Sequence, residues 1–262
     1  MSSMTPLEKA AQRSRHLVYL VAIALIGCLG GCEYESNDVS LPSASSPTTE
    51  ARIVPPPPES GDTRTVPLLP ENGAIDAGTY LVLAPGYTAP FEITVPDGWS
   101  SESGDTLGKN DPDHPGDAAV YVAWWPVDHV PTDACEWVGA LAEVDPSPLA
   151  FVDAMAAQKS TVSTPAVKVM VGDYSGFEFD HSVEGDVEIT ACDGKRLCIH
   201  SSSAYECGRW YSTQNERETY RVVDLNGQRA VIWVAQYRPP INPELTREAR
   251  AVFDSIVFKS DK

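Results

Sequence analysis

Apolar residues recur at two spacings along this chain, and each predicts a different element. Residues 79–83 (TYLVL), 91–95 (FEITV) and 118–125 (AAVYVAWW) are short runs rich in β-branched and aromatic residues, bounded by turn formers, as strands are. Residues 167–171, 176–180 and 187–191 extend the series. Two longer runs, TYRVVDL and QRAVIWVAQY, flank Asn226-Gly227, the dipeptide preferred in a two-residue type I′ hairpin turn. Helical spacing appears twice. Leu149, Val152, Met155 and Ala156 follow Ser147-Pro148, and Leu245, Ala249, Val252, Phe253 and Ile256 follow Asn242-Pro243. In both, a capping side chain precedes a proline suited to the first helical position, and the apolar residues share one face. Residues 100–117, SSESGDTLGKNDPDHPGD, read as a polar loop. Local hairpins without alternating βαβ units predict an α+β fold over residues 75–262: an antiparallel sheet packed by two or so helices.

The first 74 residues show neither spacing. Lys9, Arg13 and Arg15 precede an uncharged run over residues 17–27. Crossing a bilayer takes about 20 apolar residues, so this run predicts a signal-peptide core. Two frames after it resemble a bacterial lipobox, Leu25-Ile26-Gly27-Cys28 and Leu29-Gly30-Gly31-Cys32. The resemblance implies cleavage before a cysteine whose thiol is diacylated. Four further cysteines follow, Cys135, Cys192, Cys198 and Cys207. Lipidation of Cys32 removes Cys28 with the signal peptide and leaves an even number. Lipidation of Cys28, the alternative, leaves Cys32 as an odd thiol in an oxidising compartment. The expected organisation is a signal peptide over 1–31, a disordered tether rich in Pro and Ser over 32–74, and a domain over 75–262 at the outer face of the cell membrane.

Charge narrows the partners. The chain carries 19 Lys+Arg against 37 Asp+Glu, a net charge of −18. Phosphate backbones are bound by neutralising them with Lys and Arg, so nucleic acid is excluded as an expected partner. The lipid anchor predicts the membrane as one partner, with another envelope protein or a small ligand as candidates for the second.

Residues 91–99, FEITVPDGW, followed by a middle helix and a terminal helix EARAVFDSIVF, resemble PsbP-like α+β domains and a group of uncharacterised actinobacterial lipoproteins. Asp133-Ala134-Cys135-Glu136-Trp137, the pair Cys192-Asp193 and the run RVVDLNGQRAVIW match the pattern of that group over roughly residues 75–260. The resemblance implies a fold and an address, and no activity. It also implies a Cys135–Cys192 disulfide. Cys198 and Cys207 depart from the pattern. Pairing them closes the short loop CIHSSSAYEC and leaves no orphan, although sequence alone permits three pairings.

Rival chemistry finds little support. A zinc site from Cys192, Cys198, Cys207 and His200 lacks the tight Cys pairs of structural zinc sites, so disulfides are expected instead. Gly172-Asp173-Tyr174-Ser175-Gly176 lacks the spacing of a nucleophile elbow. His114, His129, His181 and His200 have no local partners, with His181 the first to examine in a spatially assembled hydrolase. Residues 110–117 alternate oxygen ligands but are interrupted by two prolines, which reads as a turn rather than a calcium loop. No metal or cofactor is expected. Trp99, Trp124, Trp125, Trp137, Trp210, Tyr211 and Trp233 fill a core or line a cleft. On a strand, Trp124 and Trp125 point to opposite faces, so one of them escapes the main core. The expected function is non-catalytic: a membrane-anchored binding or accessory domain, with a small-ligand or lipid carrier using an aromatic-lined cleft as the alternative.

Overall fold

The computed structural model describes residues 65–113, 118–238 and 241–260. The expected lipidation cysteines Cys28 and Cys32, the expected signal segment, most of the expected tether and His114 lie outside the described residues. In chain order the elements are β1 (Gly73–Ile75), β2 (Gly78–Val82), β3 (Phe91–Val95), β4 (Trp99–Glu102), β5 (Thr106–Asn110), β6 (Ala119–Trp124), β7 (His129–Pro131), β8 (Leu141–Glu143), α1 (Pro148–Ala157), β9 (Thr161–Ser163), β10 (Val167–Val171), β11 (Tyr174–Val183), β12 (Leu197–His200), β13 (Arg209–Tyr211), β14 (Arg217–Asp224), β15 (Arg229–Tyr237), α2 (Pro243–Asp254) and β16 (Val257–Phe258). β1 straddles the expected boundary between tether and domain.

The expected fold class is corrected by this list. The described chain is dominated by antiparallel strands, and the two helices are minor covers. Nine strands form the central sheet, in the order β1-β4-β5-β6-β15-β14-β11-β10 with β9 beside β11. Much of the covering material that an α+β fold assigns to helices is itself strand: β16-β3-β2, β7-β8 and β12-β13. The polar loop expected over 100–117 is partly a hairpin. Ser103 and Gly104 both take positive φ (55° and 68°) and close a tight turn between β4 and β5, while Trp99 and Ser101 of β4 and Leu107 of β5 point inward. Of the inward residues after Trp99 only Leu107 is apolar, too weak a period to detect. The strand expected over 187–191 is instead a 3-10 turn, Ile189–Ala191. There Glu188 accepts hydrogen bonds from the Thr190 backbone N–H (3.3 Å) and hydroxyl (2.6 Å), a local alternative to a ladder.

Both predicted helix starts are present. Ser147 Oγ accepts from Ala150 N at 3.2 Å, and Asn242 Oδ1 from Glu244 N at 2.8 Å. The α1 face is turned from expectation. Phe151, Val152 and Met155 are buried, whereas Leu149 is 52% exposed. The α2 face holds as predicted, with Leu245, Ala249, Val252 and Phe253 inside and Ile256 just beyond. The Asn226-Gly227 turn joins β14 to β15 with positive φ at both residues (59° and 94°).

A separate core lies on each side of the central sheet because the strands alternate. Val120, Val122 and Trp124 of β6 join α2 and β2-β3-β16 in one core, with Phe91 edge-on to Trp124 at 5.2 Å. Ala123, Tyr121 and Trp125 point the other way, toward α1, β7, β12 and β13. Gln158, at the end of α1, ties that second layer together. Its Nε2 donates to Pro131 O (3.1 Å) and Ile199 O (2.9 Å), bridging β7 and β12. The disulfides are Cys135–Cys192 and Cys198–Cys207, both in this layer.

Candidate functional site

On the second face the central strands build a trough from alternating sizes. β6 presents Tyr121 and Ala123, and Trp125 follows it. β15 presents Trp233, Ala235 and Tyr237. The register sets Ala123 opposite Trp233 and Tyr121 opposite Ala235, so each aromatic ring faces an alanine. The two alanines leave a low floor, and the rings form its sides. Trp125 and Trp233 meet edge to face at 4.2 Å, and Tyr121 and Tyr237 at 6.2 Å. Gly108 of β5 lies opposite Tyr121. A Cβ there would come 2.9 Å from the Tyr121 ring, so the ring rests across the glycine. β13 supplies the far wall with Arg209 and Trp210, and Glu102 and Thr106 stand at one end. The result is a groove of about 320 Å³.

A larger depression, about 520 Å³, lies between the start of α1 and β10. Its walls carry exposed aliphatic side chains such as Leu149 and Met170 beside Lys168 and Asp224, with Phe177 its one aromatic ring. Pockets that bind small ligands combine apolar and aromatic walls with a few convergent polar groups. The aromatic groove meets that description more fully, with five rings against one.

Polar groups are buried behind the groove. Arg209 Nε donates to Glu218 Oε1, and its amino groups reach Trp210 O at 2.8 Å and Glu216 Oε2 at 3.8 Å. Glu218 also accepts from the hydroxyls of Tyr211 (3.1 Å) and Tyr220. Burial, then the Glu218 charge, holds both tyrosines in the phenol form, far above the usual range. His200 is fully buried and ringed by Trp125, Phe151, Tyr220 and Trp233 at 5.0–6.3 Å, with no hydrogen-bond partner on either ring nitrogen. Burial keeps it neutral, well below its usual pKa, helped by the Arg209 charge. His181 is likewise pushed down by burial, to about 3.

The residues singled out in the sequence separate. Trp125, Trp210 and Trp233 converge on the groove. Trp99 and Trp124 fill the opposite core. Trp137 and Trp210 sandwich the Arg196 guanidinium, at 5.3 and 4.6 Å. Tyr211 turns inward to Glu218. All four cysteines outside the lipobox are in disulfides, so the zinc arrangement with His200 has no free thiol. Among the described residues no group of three His, Cys, Asp or Glu is placed to hold a metal. Asp111 and Asp113, from the calcium-like stretch, bind Asn242 at the start of α2 at 2.7 and 2.6 Å. Ser175 lies in β11 with no elbow, and Gly172 is wedged so tightly that a Cβ would sit 2.0 Å from Phe258 O. Ser163 Oγ lies 2.8 Å from His181 Nδ1, a serine–histidine contact the sequence did not show. The same hydroxyl lies 3.2 Å from Met155 O, and His181 Nε2 has no partner among the described residues, which supply no third group of a triad. Sequence reasoning missed Tyr121, Tyr237, Glu102, Thr106 and Arg209. The two tyrosines were readable as the period-two stripes 121/123/125 and 233/235/237. The other three depend on tertiary placement.

No protein-family profile matches the chain, and no curated protein matches it.

Proposed function

We propose that this chain is a lipid-anchored, extracytoplasmic binding protein whose ligand occupies the aromatic groove between β6, β15 and β13. The observation that carries the reading is the groove itself: three tryptophans and two tyrosines around an alanine floor, with one acidic and one basic side chain at the margin. Large rings give contact area at little conformational cost. The paired cysteines fit an oxidising compartment, and the lipobox and the Pro/Ser-rich segment supply anchor and reach. Two acyl chains on Cys32 would hold the chain stably, where a single chain binds only marginally.

A fluorescence screen of small molecules against the full chain tests this, since three of its six tryptophans line the site. Ligands that alter the emission of the wild type should lose at least about ten-fold in affinity with Trp210→Ala, which removes a half-exposed wall residue. Ligands whose affinity is indifferent to Trp210 would refute the groove as the site. One observation favours a protein as second partner. Tyr205 is 90% exposed on the loop closed by Cys198–Cys207, beside the groove wall. Tyr205→Ser should weaken such an association and leave small-ligand binding unchanged.

A further inference from the structure

Resting on the groove as the ligand site, we infer that its ligand is a small organic cation, with a quaternary ammonium group as the recognised element. Ring faces attract cations because the π system is negative at its face. Two rings of this groove already do so. Arg196 stacks on Trp210 at 4.6 Å and Arg238 on Tyr237 at 5.2 Å, and neither arginine lines the groove.

The charges at the margin point the same way. Glu102 and Arg209 are the ionisable groups of the lining apart from the tyrosines. Arg209 is already committed, with Glu218, Glu216 and a backbone carbonyl around its guanidinium. Two carboxylates behind the wall therefore face one cation. Glu102 is exposed and makes no ion pair among the described residues. Asp105 stands beside it, its pKa raised by partial burial and by the Glu102 charge. The groove margin thus carries Glu102 with the Asp105 carboxylate near it, and among the described lining residues no uncommitted cation, on a chain of net charge −18.

Charge, more than hydrogen-bond capacity, separates a cation from a sugar or an alcohol. The Thr106 hydroxyl donates to Asp105 Oδ1 at 3.0 Å, and the Arg209 nitrogens are engaged as described. The indole N–H and phenol groups of the lining serve any polar ligand; a positive charge is met by its π faces and a carboxylate. A quaternary ammonium, which has charge and no N–H, matches both. A free solute fits better than a phospholipid headgroup, whose phosphate would face Glu102 and Asp105.

Choline, its uncharged carbon isostere 3,3-dimethylbutan-1-ol, and glycerophosphocholine distinguish the outcomes. They are titrated into the full chain in a neutral detergent, in phosphate buffer, with tryptophan fluorescence and calorimetry as readouts. The expected result is choline binding at about 1 mM or tighter, with the isostere weaker by at least about five-fold. Glycerophosphocholine should be weaker than choline. Glu102→Gln should weaken choline about five-fold and leave the isostere unchanged, with circular dichroism confirming the fold. Equal binding of choline and isostere would overturn the cation and leave the groove standing as an apolar site. Tighter binding of glycerophosphocholine would move the source to a headgroup. Choline binding indifferent to both Glu102→Gln and Trp210→Ala would place it elsewhere and overturn the inference. No binding by any of the three refutes the cation; the groove itself then stands or falls on the broader screen above.

Discussion

At the scale of single residues, His200 is the most informative. It is a polar ring in an apolar box, with both nitrogens desolvated and unpartnered. Such groups cost roughly 1–3 kcal/mol each, so His200→Phe should be neutral or stabilising at pH 7 in urea unfolding. The sign of the pH dependence follows from the depressed pKa values of His200 and His181. The unfolded chain takes up protons near pH 6.5, and the folded chain does so only near pH 3 for His181. Their contribution is fully present above 6.5 and is lost as pH falls through that window. The loss is about 2 kcal/mol per histidine between pH 6.5 and 5. His200→Phe should remove about half of it. An unchanged slope would mean that His200 is not neutral in the fold. Little of this was legible beforehand. His200 sits in the run LCIH, and nothing there announces that four aromatic rings, from α1, β14, β15 and Trp125 just after β6, close around it.

At the scale of elements, caps and turns were the most legible features, because their signals are local. Ser147-Pro148, Asn242-Pro243 and Asn226-Gly227 each specify a backbone conformation within four residues, and each is found where it was read. Asn242→Ala should cost about 1 kcal/mol in thermal or urea unfolding, and more if the contacts from Asp111 and Asp113 are lost with it. A cost near zero would show that the cap is redundant. The α2 C-terminus has a second fastener that sequence did not reveal. Arg221 of β14 donates to Phe253 O at 3.1 Å, pairs with Glu178 at 2.6 Å and lies over the Phe253 ring at 4.2 Å. Its partners are 32 and 43 residues away. The β4–β5 hairpin escaped detection for the opposite reason: its signal is local, but the inward Ser101 is polar and Leu107 is the one apolar inward residue after Trp99. Gly108 in β5 makes a sharper test. Gly108→Val must displace the Tyr121 ring, so it should reduce ligand affinity in the groove by more than it reduces stability. Equal affinity for wild type and variant would show that Tyr121 is not a wall of the site.

At the scale of the whole molecule, the fold class was misread because helices were easier to see than short strands. The two amphipathic helices are real, yet β2-β3-β16, β7-β8 and β12-β13 provide much of the cover. Closing the 57-residue loop of Cys135–Cys192 stabilises by roughly 4 kcal/mol on the chain-entropy estimate. Intact-mass spectrometry of the membrane-isolated chain should give a polypeptide starting at Cys32 with a diacylglyceryl group. Its mass should rise by four hydrogens on reduction, two for each disulfide. A start at Cys28, or an unmodified thiol, would contradict the anchor proposed. The groove was half legible: the sequence offered the tryptophans and the rule that neighbours on a strand face opposite ways. The register that sets rings against alanines appears only when β6 and β15 are paired.

The central claim, that the groove is the ligand site, is tested most directly by the tryptophan indole N–H signals in a ¹H–¹⁵N spectrum during titration with choline or any hit of the screen. Trp125, Trp210 and Trp233 line the groove, while Trp99, Trp124 and Trp137 do not. The account predicts that the first three shift in a saturable way and the other three stay in place. Movement of Trp99 or Trp124 with Trp210 fixed would contradict it.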